Sequence, residues 1–133
     1  MTMELKIVSP EGTLFFGQAQ KVFCRTVNGD VCVLPRHCNY CVPLALGEAR
    51  VTDAEGKVHS GACAGGILTV VDGRVFVAAS TFEWKQDIDL DRAKAALERA
   101  KQTLSQSVLD PEERNRYEAK LNRARLRIEV ANL

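Results

Sequence analysis

Two cysteines separated by two residues are the most reactive feature of this sequence. Cys38 and Cys41 form a CxxC pair, which is half of a zinc site and also the spacing of a dithiol redox pair. His37 or Cys63 could complete a metal site only if the fold brought it to the pair. Free cysteine also packs well as a small apolar residue. Metal binding, redox exchange and plain packing at a strand edge are therefore three open interpretations.

The cysteines as a group argue against a disulfide framework. The chain has five of them, an odd number, and none lies beyond Cys63. The N-terminus has neither the basic cap nor the apolar segment of an export signal. We therefore expect reduced thiols in a cytosolic protein.

The last third of the sequence has the periodicity of two helices. Apolar residues recur every three or four positions from Leu90 to Leu104 and again from Tyr117 to Ile128. Asp110 followed by Pro111 is typical of a helix start. The short connection predicts an antiparallel αα-hairpin over residues 87–133. A hairpin of this size has little core of its own, so we expect weak docking, which is a precondition for a mobile arm.

Residues 1–86 alternate between apolar and polar side chains in short stretches bounded by turns. Asp72 and Gly73 lie between two such stretches and predict a hairpin, because both residues tolerate positive φ. A second hairpin is predicted around residues 53–56. Many short strands with frequent turns favour an antiparallel sandwich or barrel.

Composition excludes several classes of protein. The chain has 133 residues, of which 46% are hydrophobic and 26% charged, as in ordinary globular domains. No run approaches the ~18 apolar residues of a membrane span. The formal net charge of +1 provides no basic excess for nucleic acid, so we expect no nucleic-acid partner.

The order of these features resembles the epsilon subunit of bacterial F-type ATP synthase over essentially the whole chain. The resemblance rests on residues 29–37 (GDVCVLPRH), 65–68 (GGIL) and 88–93 (IDLDRA). It implies an α+β fold, with an N-terminal antiparallel β-sandwich of about ten strands over residues 1–86 and the αα-hairpin over 87–133. It also implies a non-catalytic subunit on the cytoplasmic face of the inner membrane, reaching the membrane only through the complex.

The resemblance implies a different task for each part. The sandwich would bind the gamma subunit and the polar loops of the membrane c-ring. Asp30 takes the place of an acidic residue that contacts the ring in relatives, and His37 belongs to the same segment; a turn acid and a structural imidazole are the alternatives. The hairpin would regulate ATP hydrolysis, either folded back or extended along gamma to the alpha and beta catalytic subunits. Relatives have glycine where this chain has Arg36, which is expected to cost about 1 kcal/mol if the turn needs positive φ.

The resemblance also implies a regulatory ATP site on the hairpin, with no cofactor required. Asp89 would accept a hydrogen bond from the adenine amino group or order the helix start, and arginines would bind phosphate. The alternative is a helix cap with solvated arginines. The candidate ATP-binding residues are Ile88, Asp89, Arg92, Ala93, Arg99, Arg123 and Arg127.

Two other functions compete with this one. The first is a small thiol-redox enzyme that uses Cys38 and Cys41. Thioredoxin-like enzymes place their CxxC at a helix N-terminus, whereas this pair lies in a stretch predicted as strand. The second is a free-standing nucleotide-sensing module outside any complex.

Overall fold

A computed structural model describes residues 1–106 and 108–133 of the chain. Ser107, in the predicted turn between the helices, lies outside the described residues. The chain divides into two compact units, Met1–Trp84 and Lys85–Leu133. Across the described ranges, every helix is too short or too polar to cross a membrane.

The first unit is one sheet of seven strands that closes on itself. The strand order is β1-β6-β5-β4-β2-β3, and an additional β1–β2 pairing closes the ring while β7 pairs with β5. All pairings are antiparallel except β1–β6. The strands are β1 (Met3–Ser9), β2 (Gly12–Thr26), β3 (Gly29–Val33), β4 (Tyr40–Asp53), β5 (Val58–Val71), β6 (Arg74–Ala79) and β7 (Phe82–Trp84). Closure leaves few exposed edges.

The described residues form seven strands, fewer than the about ten that the resemblance implies, and three of these strands are long and continuous. β2 has 15 residues, and β4 and β5 have 14 each. The β4–β5 ladder continues from Thr52 opposite Val58 to Tyr40 opposite Val70. Stretches that look separate in sequence therefore belong to one strand. The β-rich first part followed by two helices is confirmed, which makes the fold α+β.

Both predicted hairpins are confirmed. β4 and β5 are joined across residues 54–57, and β5 and β6 across Asp72 and Gly73. Asp72 has φ of 51° and Gly73 has φ of 79°, the pair of positive angles that a two-residue hairpin of the I′ type requires.

The Gly65-Gly66 pair allows two strand backbones to approach closely. Gly65 has φ of 81° and Gly66 has φ of 122°, where a side chain would be strained. A Cβ at Gly66 would also collide with the carbonyl oxygen of Ala78 in β6. Any other residue at Gly66 would therefore disturb the β5–β6 pairing.

Arg36 occupies a turn position that favours glycine. The amide of His37 donates to the carbonyl oxygen of Leu34 at 3.1 Å, and Arg36 has φ of 70°. With Pro35 before it, this is the pattern of a type II turn, in which the third residue has positive φ. Arg36 therefore has the positive φ at which a residue other than glycine is expected to cost about 1 kcal/mol.

We predict that Arg36→Gly raises the free energy of unfolding by about 1 kcal/mol, because glycine adopts positive φ without the Cβ clash. Urea denaturation at neutral pH measures this gain. Arg36→Ala is the matched control, since it removes the guanidinium but keeps the Cβ, and should give no such gain. Equal stabilisation by both substitutions would attribute the effect to the side chain rather than to the backbone.

The core of the first unit consists of inward-facing aliphatic residues from alternating strand positions. Trp84 and Tyr40 pack against it from its margin. The largest fully buried side chains of this unit are Leu5, Ile7, Val22, Val33, Val42, Val51, Leu68, Val70 and Val77. These side chains fix the register of the strands, because a slip by one residue would expose them.

The second unit is the predicted pair of helices, α1 (Leu90–Leu104) and α2 (Pro111–Ala131), which contact each other. A single 3-10 turn at Lys85–Asp87 precedes α1. The caps follow local rules: Asp89 accepts from the amide of Arg92 at 3.1 Å, and Asp110 accepts from the amide of Glu113 at 2.8 Å. The predicted helix starts are thereby confirmed.

Candidate functional site

The candidate nucleotide site begins at the N-terminus of α1. Asp89 is the N-cap residue, and its Oδ1 accepts the amide hydrogen of Arg92. Asp89 and Arg92 are thus brought together through the backbone of Arg92, while the Arg92 side chain is exposed. The contact that the structure provides is a helix cap, and it uses one carboxylate oxygen.

The small and apolar members of the segment contribute to local packing at the start of α1. Ile88 is half-buried, and its amide donates to the carbonyl oxygen of Lys85 at 3.3 Å. Ala93 is completely buried, and Ala100 and Ala124 are nearly so. Small residues at such positions allow helices to approach closely. Ala93 therefore has a packing role that a larger side chain could not fill.

The four candidate arginines are divided between the two helices. Arg92 and Arg99 are exposed on α1 and lie seven residues apart, so they share a face. Arg123 is exposed on α2, and Arg127, one turn later, is half-buried. The structure brings the two helices into one unit, and each helix contributes two of the four arginines.

Asp30 lies in β3, beside the hairpin that joins β2 to β3. Its Oδ1 accepts from Nε of Arg25 at 3.1 Å, and both side chains are about half exposed. Val27 in the turn and Leu34 after β3 are large aliphatic residues with more than half of their surface exposed. The segment from Arg25 to Leu34 thus presents an exposed ion pair and two exposed aliphatic side chains.

His37 lies in the loop between β3 and β4. Its Nδ1 is 2.7 Å from the carbonyl oxygen of Cys38, which requires Nδ1 to carry the hydrogen. The ring centroid is 5.7 Å from that of Tyr40. Asp30 and His37 therefore belong to the same part of the sheet unit, one on β3 and the other in the loop that follows it.

The cysteines fall into two classes. Cys32, Cys38 and Cys41 are exposed, whereas Cys24 and Cys63 are buried. Burial raises the pKa of Cys24 to about 12 and that of Cys63 to about 11. Within residues 1–106 and 108–133, no three His, Cys, Asp or Glu side chains are grouped closely enough to hold a metal. Cys63 is therefore not brought to the CxxC pair as a third ligand.

Sequence reasoning missed a polar cluster on the β4–β5 hairpin. Asp53 Oδ2 is 2.8 Å from Nε2 of His59, and Oδ1 accepts from the amides of Glu55 and Lys57. The ring of Trp84 meets that of His59 edge-on at 6.0 Å. The hydrogen bond from His59 lowers the pKa of Asp53 below its ordinary 3.8, and the two amides act in the same direction. An acid at the start of a predicted turn with a histidine six residues later was the available signal.

We predict that Asp53→Asn destabilises the sheet unit at pH 7 and does so less as the pH falls. A carboxylate with a lowered pKa stabilises the fold at pH values above 3.8, and this contribution disappears as the carboxylate becomes protonated at lower pH. Urea denaturation at pH 7 and near pH 3, monitored through the single tryptophan Trp84, measures the difference. Glu55→Gln, in the same turn, is the control and should have little effect at either pH. A pH-independent loss in Asp53→Asn would contradict the prediction.

Both units match domains of the same protein family. The beta-sandwich domain of the ATP synthase delta/epsilon chain matches residues 2–85, and the long alpha-helix domain of that chain matches residues 86–132. The ATP synthase epsilon chain of Caldicellulosiruptor bescii is 34% identical over 128 residues, covering 96% of this chain and 92% of the relative. That of Halalkalibacterium halodurans is 34% identical over 130 residues, covering 98% and 97%.

Solved structures agree with this match. A chain of the mitochondrial ATP synthase of Euglena gracilis, from a structure of its OSCP, F1 and c-ring, has a TM-score of 0.83 and 26% identity. The similarity covers 99% of this chain and 82% of that one. A chain from the central stalk and c-ring of the Tetrahymena thermophila enzyme has a TM-score of 0.70 at 11% identity, which shows the fold alone. With both domains matched in order and bacterial relatives aligned along nearly its whole length, the chain belongs to the delta/epsilon chain family of ATP synthase, among the bacterial epsilon chains.

Proposed function

We propose that residues 1–86 attach this epsilon chain to the gamma subunit and to the polar loops of the c-ring, and that residues 87–133 form an arm that inhibits ATP hydrolysis. The single observation that carries the proposal is that both units match, in order, the two domains of the family. In this proposal the closed sheet is flattened into a sandwich, as the family domain's description indicates. The chain works at the cytoplasmic face of the inner membrane as a peripheral part of the complex.

The chain is a regulatory and structural subunit rather than an enzyme, as its family membership shows. The thiol-redox enzyme is thereby not favoured. Epsilon chains belong to the central stalk of ATP synthase. The sheet unit would therefore couple the rotor to the c-ring. If the helices of this chain sense a nucleotide, they would do so as part of the ATP synthase complex and not as a free-standing protein.

The proposed rotor contacts are Asp30 and His37. The Arg25–Asp30 ion pair is exposed, so a partner can replace water around it without opening a buried core. Val27 and Leu34, in the same segment of the chain, offer exposed apolar surface. This mixture of charge and aliphatic surface suits a protein interface with a hydrophobic centre and a polar rim.

The proposed regulatory ligand is ATP, at a site formed by Ile88, Asp89, Arg92, Ala93, Arg99, Arg123 and Arg127, to which the buried Ala93 would contribute by allowing the two helices to approach closely. Oδ1 of Asp89 is used by the cap, so Oδ2 would accept the adenine amino hydrogen. Exposed guanidiniums on both helices would bind the phosphates through charge-assisted hydrogen bonds. Because the arginines come from two helices, a single nucleotide would favour the state in which the helices are paired.

Binding to the isolated gamma subunit tests whether residues 1–86 are the part of the chain that attaches to gamma. Full-length chain and residues 1–86 are expected to bind gamma with similar affinity, whereas residues 87–133 alone are not. Circular dichroism of the 1–86 fragment confirms that it is folded before the assay. A folded fragment that does not bind gamma would contradict the proposal. Binding of ATP but not gamma by the full chain would favour a free-standing nucleotide sensor.

A further inference from the structure

The two helices of the second unit are connected at both ends. At one end, residues 105–110 join α1 to α2 through the main chain. At the other end, the 3-10 turn that precedes α1 contacts α2, and Nζ of Lys85 donates to the main-chain oxygen of Leu133. The first connection is covalent, whereas the second is a side-chain contact that can open. Separation of the helices therefore requires the Lys85–Leu133 contact to break.

The C-terminal end of α2 attracts a cation that the helix itself does not provide. The last carbonyl oxygens of a helix lack partners within it and carry a partial negative charge. The last turn of α2, all of which the structure describes, contains Glu129 and no basic residue. The amide of Leu133 donates to the carbonyl oxygen of Val130 at 3.2 Å, which holds Leu133 against this end of the helix. The ammonium of Lys85 thus supplies from another element the positive charge that the end of α2 favours.

Both sides of this contact are held in place by the residues around them. Lys85 begins the 3-10 turn, and its carbonyl oxygen accepts the amide hydrogen of Ile88 at 3.3 Å. Its side chain is half-buried, and Val130 on the other side of the contact is almost completely buried. A lysine in such a position loses less conformational freedom on forming a contact than a lysine on an open surface.

We propose that Lys85 is a latch that holds the two helices of this unit in their paired state. The latch keeps the beginning of α1 next to the end of α2, and Arg92 and Arg127 lie near these two ends. Opening of the latch lowers the fraction of chains with paired helices, so a nucleotide that binds only the paired state binds more weakly. The effect on ATP rests on the proposed function, whereas the latch itself does not.

Amide hydrogen exchange in the isolated full-length chain tests the latch without any nucleotide. Lys85→Met removes the ammonium but keeps an unbranched side chain, and residues 126–133 are expected to exchange about five-fold faster, as for the loss of one charged hydrogen bond at a helix end. Lys85→Arg keeps a cation and should retain the parent rate. Lys94→Met, which removes an exposed lysine from α1, is the matched control and should also retain it.

Two results of this measurement would overturn the proposal. The first is equal exchange of residues 126–133 in the parent and in Lys85→Met. The second is an equal acceleration along the whole chain, including the sheet unit, which would show general destabilisation and not the opening of one contact.

Relief of inhibition in the assembled complex tests the effect on ATP. If the extended state is preferred without nucleotide, Lys85→Met is expected to raise the ATP concentration that half-relieves inhibition about five-fold, the same factor as in the exchange experiment. Lys85→Arg and Lys94→Met should leave that concentration near the parent value. An unchanged concentration in Lys85→Met would overturn the link between the latch and the ATP response. A parent complex that ATP does not relieve would contradict the proposed function instead, and exchange in the isolated chain would still decide the latch.

Discussion

ATP titrated into the isolated chain is expected to show one binding event that Arg92→Ala weakens about ten-fold or more, because a charged hydrogen-bond partner of the phosphates is lost. Asp89→Ser should also weaken binding, since serine keeps the helix cap but removes the carboxylate that would accept from adenine. Isothermal titration calorimetry measures both effects. The heat is expected to be the same with and without Mg²⁺, because arginines provide the countercharge.

The matched control for the arginine is Arg114→Ala, which removes an exposed arginine from the first turn of α2, outside the candidate site. It should leave ATP binding unchanged. Circular dichroism checks that Asp89→Ser retains the parent helix content. Equal heats in the parent, Arg92→Ala and Asp89→Ser, or no heat at millimolar ATP, would contradict the proposed ATP site. The segment would then be only a helix cap with solvated arginines.

Removal of residues 87–133 is expected to raise ATP hydrolysis by the assembled catalytic complex. The physical reason is the separation of the chain into two compact units, so that the sheet unit can stay attached while the arm is absent. The last helix is rich in arginine, and in the extended state implied by the family resemblance it would lie against the catalytic subunits. Arg123→Ala combined with Arg127→Ala should raise hydrolysis only in part, because the same change weakens ATP binding and so favours the extended state.

Steady-state phosphate release from the complex measures this effect with the full chain, with residues 1–86 and without the chain. Sedimentation of the complex confirms that the 1–86 fragment is retained. The rate with the retained fragment should equal the rate without the chain and exceed the rate with the full chain. Equal rates with the full chain and the retained fragment would remove the regulatory role of the helices.

The size of the ATP effect follows from the difference in affinity between the two states of the arm. A ligand shifts an equilibrium only by its differential affinity. If ATP binds only the paired helices, ATP at ~100 times its dissociation constant stabilises them by about 2.7 kcal/mol. That is enough to reverse a marginal preference for the extended state, so abundant ATP should relieve inhibition.

Local chemistry allowed the helices and turns to be predicted from the sequence. Asp110 with Pro111 specifies the start of α2, and Asp72 with Gly73 specifies a tight hairpin, because each signal depends on residues within one turn. The number of strands could not be predicted from local signals, because the continuity of a strand depends on the strands that pair with it. β5 continues through Gly65 and Gly66, which look like a break in sequence, because β4 and β6 pair with it on both sides.

The candidate sites show the same limit. Sequence spacing places Arg92 and Arg99 on one helix face, but it does not specify the directions of long exposed side chains, which packing leaves undetermined. The Asp53–His59 pair was missed because aspartate and histidine are ordinary residues in a hairpin. Only the folded β4–β5 turn brings them together, beside Trp84 of β7.

The central claim is that the two helices form an ATP-responsive inhibitory arm, and one ratio tests it most directly. The ratio compares ATP hydrolysis by complexes that contain residues 1–86 with hydrolysis by complexes that contain the full chain, at increasing ATP. It should be well above one at low ATP and fall toward one as ATP passes the dissociation constant measured for the isolated chain, and Arg92→Ala should shift the fall to higher ATP. A ratio of one at every ATP concentration, or a high ratio that ATP does not change, would contradict the claim.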